Sequence, residues 1–562
     1  MEQNILSNYK CWLEKSKDSD VVLELKAIEN DNDKIEDAFY RELEFGTGGI
    51  RGVIGAGTNR MNVYTVAKAS QGLANYVVNN FKEDERKIAV SYDSRIKSDV
   101  FSKVASSVFA ANGIKVYIYK ELMPTPCVSF AVRDLNCAAG IMITASHNPS
   151  KYNGYKVYGA DGCQITNEVA DEVSGYIESI DVFDGVKTVD FDEAFKTGLI
   201  EYTPEEVYTR FVENVKGESL LGDEKVNKDV AIIYTPLNGS GLKPVLRTLT
   251  ESGYTNVKVV KEQEQPDGNF PTCPYPNPEI KEAMALGMQY AKENNADLLV
   301  ATDPDCDRVG IAVKDDKGEF TLLTGNETGM LLVDYICQRR LALGKMPEDP
   351  VLVKTIVTID MADRIAASYG VRTVNILTGF KYIGEQIALL ESQGKQDSYI
   401  LGFEESYGYL SGTYVRDKDA VNGVFLICEM FAYYQSKGIS LYEKLNSLYE
   451  KFGYCLNTLH SYQFEGSAGF DKMQSIMKNL KQGLTQIGNK KVKTTLDYSK
   501  GIDSLPKSDV VKYLLEDNCS VVVRPSGTEP KMKVYISVSA NTKDEAAQIE
   551  KMIKKDMDGH LA

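Results

Sequence analysis

The sequence predicts an α/β protein: three related mixed α/β domains with helices on both sheet faces, then a C-terminal α+β domain, the four walling a central cleft. Three observations predict it. A strand–helix–strand rhythm opens three times along the 562 residues, and such alternation pairs strands in parallel and lays helices on the sheet faces. Each cycle ends in an apolar run that empties into a short polar loop, the place where open α/β sheets hold ligands. The C-terminal stretch instead reads as alternating strands closed by one helix.

The elements follow in order. Residues 1–40 read as helices, with Trp12, Leu13, Val22, Leu23, Leu25 and Ile28 as apolar positions among charges, forming an extension packed on the first domain. The first cycle runs through a strand at 88–92, a helix at 100–112 and a strand at 114–119, and reaches the apolar run 138–143. The second opens with a strand at 230–234, passes helices at 241–252 and 278–294, and reaches 296–301. The third opens at 351–355 and reaches 397–401. Beyond it, 456–465 and 520–523 are strand-like, 531–538 alternates and 543–557 is helical. Crossings at 198–204 and 316–325 set the domains at 1–40, 41–205, 206–325, 326–452 and 453–562.

Composition narrows the function. With 43% apolar residues the chain can bury several cores. A net charge of −16 argues against nucleic acid, whose phosphates are bound by a surplus of lysine and arginine. No apolar run approaches the roughly 20 residues a membrane helix needs, and the N-terminus has no basic and apolar leader pattern. Ten cysteines without metal-type spacing fit free thiols in a reducing cytoplasm.

Each loop carries its own chemistry. Residues 144–149 place Ser146, His147 and Asn148 just past a buried strand, offering a nucleophilic hydroxyl. Asp303, Asp305 and Asp307 alternate in one turn, close enough to share a divalent cation, and oxygen-only ligands select a hard ion such as Mg²⁺. A calcium-binding EF-hand would need glycine and glutamate where Arg308 and Lys314 stand. Glu404 and Ser406, an acceptor and a donor, suit vicinal sugar hydroxyls. The turn from Arg524 through Ser526, Gly527 and Thr528 to Lys531 concentrates cations, hydroxyls and amides suited to phosphate.

These four loops, in this order, resemble those of the α-D-phosphohexomutase superfamily, and the resemblance runs from about Glu44 to the C-terminal helix. It implies an enzyme that moves phosphate between the 1 and 6 positions of a hexose phosphate through an active-site phosphoserine. In that reading Ser146 is the carrier, and Asp303, Asp305 and Asp307 bind Mg²⁺ with the phosphate on Ser146. Arg308 offsets phosphate charge, Glu404 and Ser406 grip the sugar, and Arg524, Ser526, Gly527 and Thr528 hold the non-reacting phosphate. Residues 46–52 match the superfamily's N-terminal motif and place Arg51 near the reacting phosphate. Lys156 follows the serine loop at the superfamily's spacing, and Thr378-Gly379-Phe380-Lys381 resembles the lysine-bearing loop of the third domain. Lys156 and Lys381 are both acid/base candidates, each requiring a pKa lowered towards neutrality.

The implied substrates are small sugar phosphates, with glucose 1,6-bisphosphate as activating intermediate. Glucose, mannose and pentose phosphates, and glucose 1,6-bisphosphate synthesis, all remain within this resemblance. An Asp-x-Asp turn with magnesium also serves hydrolysis, which makes a metal-dependent sugar phosphatase the rival enzyme reading. A non-catalytic binding protein has little support while Ser146, the three aspartates and both lysines are intact.

Overall fold

The structure, a computed structural model, describes residues 3–464, 466–502, 505–525 and 531–561. The first sheet contains β1 (Ile50–Val53), β2 (Lys87–Tyr92), β3 (Lys115–Ile118), β4 (Ala139–Ile143), β5 (Tyr152–Gly159) and β6 (Ile200–Tyr202), ordered β1-β5-β4-β2-β3-β6. The second contains β7 (Ile232–Thr235), β8 (Val257–Val259), β9 (Leu298–Thr302), β10 (Val309–Lys314) and β11 (Phe320–Leu323), ordered β11-β10-β9-β7-β8. The third contains β12 (Val351–Thr355), β13 (Arg372–Ile376), β14 (Tyr399–Phe403) and β15 (Tyr409–Leu410), ordered β13-β12-β14-β15.

One four-strand unit recurs in all three. Its opening strand (β2, β7 or β12) lies parallel to the next strand in sequence on one side and to the third on the other, and the third pairs antiparallel with a fourth. The fourth strands, β5, β10 and β15, follow the polar loops at once, so each loop sits where the sheet reverses from parallel to antiparallel. The expected parallel pairing therefore holds only up to those loops. Each reversal contains a non-glycine residue in the left-handed region, Ser146 at φ 53°, Cys306 at φ 51° and Tyr407 at φ 67°. Such backbone persists only where its surroundings over-determine it.

The fourth sheet, β16 (Tyr454–Gln463), β17 (Gln486–Ile487), β18 (Lys490–Asp497), β19 (Val511–Leu515), β20 (Ser520–Pro525) and β21 (Lys531–Ala540), is antiparallel in every pairing and ordered β16-β21-β20-β19-β18-β17. The helix Lys543–Leu561 packs its apolar stripe, Ala546, Ile549, Ile553 and Met557, on that sheet. This is the α+β domain expected from the sequence.

Packing fixes the loops relative to one another. One continuous apolar core joins Val128 and Phe130, from a helix of the first domain, to Val300 and Val309 of the second and Phe403 and Val424 of the third. The helix Ala420–Ser436 is buried on nearly every side, as expected of a helix enclosed between layers, and Asp419 caps it by accepting from Asn422 N–H at 3.0 Å. A separate cluster, Ile356, Val357 and Leu377 against Tyr498, Val510, Val522 and Tyr535, joins the third and fourth domains.

The N-terminal helices Gln3–Lys15, Ser19–Ala27 and Asn32–Phe39 pack Trp12, Tyr9 and Phe39 against Tyr64 and Phe183. The apolar positions read from the sequence need one correction. Leu23 is 70% exposed, and Val21, not among those positions, joins Leu25 on the buried face.

Candidate active site

The serine loop leaves β4 with its backbone turned back on itself. Ser146 N–H donates to Thr144 Oγ1 at 2.8 Å, and Thr144 Oγ1 in turn donates to the buried Asp93 at 2.6 Å. Ser146 is buried, with Oγ 3.2 Å from His147 Nδ1 and 3.2 Å from Asp303 Oδ2 of the second domain. Burial first, then the charges of Arg308 and Arg51, hold the His147 pKa well below the usual imidazole value, so the ring is neutral near pH 7. Arg51, on β1, donates to Asn148 Oδ1 at 3.3 Å.

The aspartate loop follows β9. Asp303, Asp305 and Asp307 are all buried, and each has a carboxylate oxygen within 4.8 Å of the others. Backbone amides of Asp307 and Arg308 occupy Asp303 Oδ1 at 3.0 and 2.9 Å, leaving Oδ2 facing Ser146. Burial first, and then the charges of Asp305 and Asp307, push Asp303 far above the normal carboxylate range. Asp305 Oδ1 and Asp307 Oδ1 are buried with no hydrogen-bond partner. Buried carboxylate oxygens without a hydrogen bond are costly, and here two of them belong to one cluster of three carboxylates. The donor set, oxygen only, is one that can hold a hard divalent metal ion.

The opposite oxygens of that pair carry ammonium groups. Lys156 Nζ, from β5, lies 2.7 Å from Asp305 Oδ2 and 3.1 Å from Asp307 Oδ2. Lys418 Nζ lies 3.2 Å from Asp307 Oδ2 and 3.1 Å from Asp417 Oδ1. Burial works against the charge of each lysine, but Asp305 and Asp307 outweigh it for Lys156, and Asp307 and Asp417 for Lys418, so both pKa values rise. Burial likewise opposes the charge on Asp307, and Lys156, Lys418 and Arg308 together still hold its pKa below the normal range.

The third loop turns between β14 and β15. Glu404 is buried and accepts from Gly379 N–H at 3.0 Å, which brings the Thr378–Gly379 turn beside it, with Thr378 Oγ1 buried and unpartnered. Burial pushes the Glu404 carboxyl up to about 7, with Lys418 opposing. Ser406 is half-buried at the tip. Arg308 pairs with Glu279 and stands 3.8 Å from Asp307 Oδ1. Arg524, at the end of β20, is half-buried and donates to Tyr535 OH at 3.4 Å. Ser526, Gly527 and Thr528 lie outside the described residues, and Lys531 opens β21.

The two acid/base candidates separate. Lys156 stands on the aspartates with a raised pKa, the reverse of the lowering a proton-shuttle role requires, because the carboxylates it touches stabilise its charge. Lys381 has its pKa lowered by burial, yet its Nζ donates to Asn167 Oδ1 at 3.1 Å, on a helix of the first domain.

Sequence reasoning missed Lys418, Thr125 and Glu279. Thr125 binds the aspartate loop twice, N–H to Asp305 O at 2.9 Å and Oγ1 to Asp305 Oδ2 at 2.8 Å. Lys418 had a legible signal, the charged run Arg416-Asp417-Lys418-Asp419 directly ahead of an apolar helix, where a solvated surface was not to be expected. Thr125 and Glu279 carry no local signal, since their partners are far away in sequence.

Models of the phosphoglucomutase/phosphomannomutase family match in four consecutive parts. Its alpha/beta/alpha domains I, II and III match residues 42–183, 206–318 and 324–452, and its C-terminal domain matches 471–555. The chain is 37% identical over 551 residues to a phosphoglucomutase of Staphylococcus saprophyticus, covering 93% of this chain and 97% of that protein. It is 35% identical over 550 residues to a phosphoglucomutase of Staphylococcus aureus, covering 96% of each. Among solved structures, a phosphoglucomutase/phosphomannomutase family protein from Burkholderia thailandensis shares the fold with TM-score 0.68 at 18% identity, over 92% of this chain and 97% of that one. The open form of the Paramecium phosphoprotein pp63/parafusin, a phosphoglucomutase, does so with TM-score 0.68 at 19% identity, over 93% and 95%. With four domain models matched in order and curated relatives aligned over almost the whole length, the chain belongs to the phosphoglucomutase/phosphomannomutase family.

Proposed function

We propose that the protein interconverts α-D-glucose 1-phosphate and glucose 6-phosphate, with Ser146 as phosphoryl carrier and glucose 1,6-bisphosphate as intermediate. The observation that carries this reading is the meeting of Ser146 Oγ with Asp303 at 3.2 Å, across two domains, beside carboxylates of which two buried oxygens accept no hydrogen bond. Asp303, Asp305 and Asp307 are the residues that would hold Mg²⁺. Bound there, the ion supplies positive charge to phosphoryl oxygens at the serine.

In the first half-reaction the bond from phosphorus to the serine oxygen breaks, one to a sugar oxygen forms, and a proton passes from the sugar hydroxyl to the serine oxygen; in the second, the bond from phosphorus to the other sugar oxygen breaks, the bond to the serine oxygen re-forms, and the serine proton passes to that sugar oxygen. To Lys156 and Lys418, held as ammonium groups over the aspartates, we assign the stabilisation of charge on the moving phosphoryl group, and to Lys156 the gift of its own proton to the departing oxygen, with the attacking hydroxyl's proton replacing it. Neutral His147 and the guanidinium of Arg51 orient the serine phosphate. Glu404 and Ser406, with Thr378 and Gly379 beside them, hold the ring hydroxyls, while Arg524, Ser526, Gly527 and Thr528 hold the distal phosphate. Arg308, already paired with Glu279, fixes that glutamate and the aspartate turn while offsetting phosphate charge. Exchange of the two phosphates requires the bisphosphate to turn over within the cleft, so the sugar and phosphate loops must accept both orientations. Nine of the ten cysteines are buried free thiols, which suits the cytoplasmic setting that belongs to the same reading. No helix among the described residues is long and apolar enough to cross a membrane.

The deciding measurement is kcat/KM on glucose 1-phosphate, mannose 1-phosphate and ribose 1-phosphate in the presence of glucose 1,6-bisphosphate, with inorganic phosphate followed in parallel. Glucose 1-phosphate should lead, with no phosphate released. A preference for mannose or ribose 1-phosphate would move the substrate, net bisphosphate accumulation would indicate a synthase, and phosphate released in step with substrate would indicate a phosphatase.

A further inference from the structure

We infer that Arg95 is a positioning residue for the reaction: it fixes the serine loop from behind and sets Ser146 against the aspartates of the second domain. Arg95 lies in the turn after β2, is 2% exposed, and touches none of the groups assigned to substrate. Its guanidinium donates to Pro149 O at 3.0 Å and Tyr152 O at 3.1 Å through one terminal nitrogen, and to Ser146 O and Asn148 O through the other. One side chain thus closes the whole loop from Ser146 to the start of β5. A planar fork with fixed donor directions can meet four carbonyls at once, which a lysine ammonium cannot.

The need for such a clamp is visible in the backbone. Ser146 holds φ 53°, a left-handed conformation that costs energy in a residue bearing a Cβ. Its N–H is fixed by Thr144 Oγ1, its carbonyl by Arg95, and both lines end on Asp93, which accepts from Thr144 Oγ1 and from Arg95 N–H at 2.9 Å. The serine is therefore held on both sides of its own Cα by one buried acid–base pair, leaving Oγ directed at Asp303.

The same arginine is gripped by the domain that carries the aspartates. Phe270, 1% exposed, stacks on the Arg95 guanidinium with its ring centre 5.1 Å away. Gly268 lies so near the Arg95 turn that an added Cβ would stand 2.4 Å from Ile96 N. The second domain thus seats directly on the turn that holds the serine, so the distance from Ser146 to Asp303 is set through Arg95 as well as at the loops themselves.

This inference rests on the phosphoserine reading above, and its test separates the two. Purified wild type, Arg95→Lys and Phe270→Leu are incubated with glucose 1,6-bisphosphate and Mg²⁺, phosphate uptake is counted by intact mass, and kcat is expressed per phosphorylated molecule. Wild type takes up one phosphate. Arg95→Lys should lose roughly 10- to 100-fold in kcat per phosphorylated molecule, the range found when an outer-shell partner is removed, with KM for glucose 1-phosphate within about 3-fold. Phe270→Leu should lose roughly 3- to 10-fold, since it removes the stack and keeps the fork. In Arg95→Ala, millimolar guanidinium chloride should restore activity where ammonium chloride does not. A merely structural arginine would lower the fraction of molecules that take up phosphate and leave kcat per phosphorylated molecule unchanged; that result, or kcat within 3-fold of wild type in Arg95→Lys, overturns the inference. If wild type takes up no phosphate, the phosphoserine reading falls and this inference with it.

Discussion

The β4–β5 and β9–β10 loops occupy the same place in two sheets of the same topology, yet the groups that hold them differ. The aspartate loop turns its own amides onto its first carboxylate: Asp303 Oδ1 accepts from the amides of Asp307 and Arg308, and Cys306 N–H closes the turn on Asp303 O at 2.9 Å, while Thr125 and Ser240 add bonds from outside to Asp305 and Pro304. The serine loop draws its support from outside, from Asp93 and Arg95 on the neighbouring turn. The difference follows from charge. A loop that presents carboxylates can turn its own amides inward to absorb one oxygen and leave the others free for a cation. If the serine loop carries a phosphoryl dianion, as proposed, its polar groups face outward and its carbonyls are held by a donor placed behind it. The shared reversal of the sheet gives both loops the same position, and the side chains decide which partner each needs.

The largest expected effect tests whether the serine loop carries the chemistry at all. Ser146→Ala should lower kcat by at least ~10³-fold, as removal of an enzyme nucleophile does, and should abolish the single phosphate seen by intact mass after incubation with glucose 1,6-bisphosphate. Turnover within tenfold of wild type would leave the serine loop as a structural counterpart of the aspartate loop and nothing more.

The next effect falls on the other side of the comparison. Asp305→Asn removes one charge from the three-aspartate set and disturbs the contact with Lys156. It should lower kcat by ~10²-fold at saturating Mg²⁺, the scale of losing one preorganised electrostatic contact, and shift the Mg²⁺ activation midpoint upward. EDTA should silence wild type and added Mg²⁺ restore it. Full activity after exhaustive chelation would assign the three aspartates to holding lysines rather than an ion.

Much of this arrangement was legible in the chain. The apolar runs ahead of Ser146, Asp303 and Glu404 marked buried strands, and the polar loops behind them were chemically distinct, so the order of the site could be read without coordinates. The fourth strands were not, because β5, with Tyr152, Asn153, Gly154 and Lys156, lacks a continuous apolar pattern, and β15 is only Tyr409–Leu410. Nor were the long-range supports: Thr125 meets Asp305 and Arg95 meets Phe270 only after the first two domains dock. Local pattern reports which residues are buried; it carries no information on which distant loop they are buried against.

The third loop sharpens the comparison, because its carboxylate has neither an amide pair nor an unpaired partner oxygen to share. Glu404 is raised to about 7, chiefly by burial. A carboxyl with a raised folded pKa contributes most below its ordinary range near 4.5, and that contribution is lost as pH rises through about 7. Glu404→Gln should therefore be more stable than wild type at pH 8, by on the order of 2–3 kcal/mol, with the difference vanishing towards pH 4.5; urea midpoints at pH 5 and pH 8 read this directly. The same substitution should raise KM for glucose 1-phosphate by ~10-fold or more, since it weakens a charge-assisted bond to a hydroxyl. A mutant less stable than wild type at pH 8 would show that Lys418 and Arg308 more than offset the burial of Glu404.

The smallest expected effect concerns Lys381, the residue on which position and protonation disagree. Its pKa is lowered by burial, which is what a proton-transfer lysine requires, whereas Lys156 meets the opposite condition beside Asp305 and Asp307. Position favours Lys156, 2.7 Å from Asp305, while Lys381 Nζ is engaged with Asn167 across the boundary between the first and third domains and lies 4.8 Å from the Tyr382 ring centre. If the reaction's proton is managed where the serine and aspartate loops meet, Lys381→Met should keep kcat within ~3-fold of wild type, and the lost interdomain hydrogen bond should cost about 1 kcal/mol of stability. The pH–rate profile should be unchanged in shape. A loss of ~10²-fold in kcat, the scale expected of a general acid or base, together with a missing basic limb in the profile, would move the proton-transfer role to the lysine beside the third loop. The meeting of the first two loops would then place the phosphoryl group and its counter-ion, and the third domain would supply the proton.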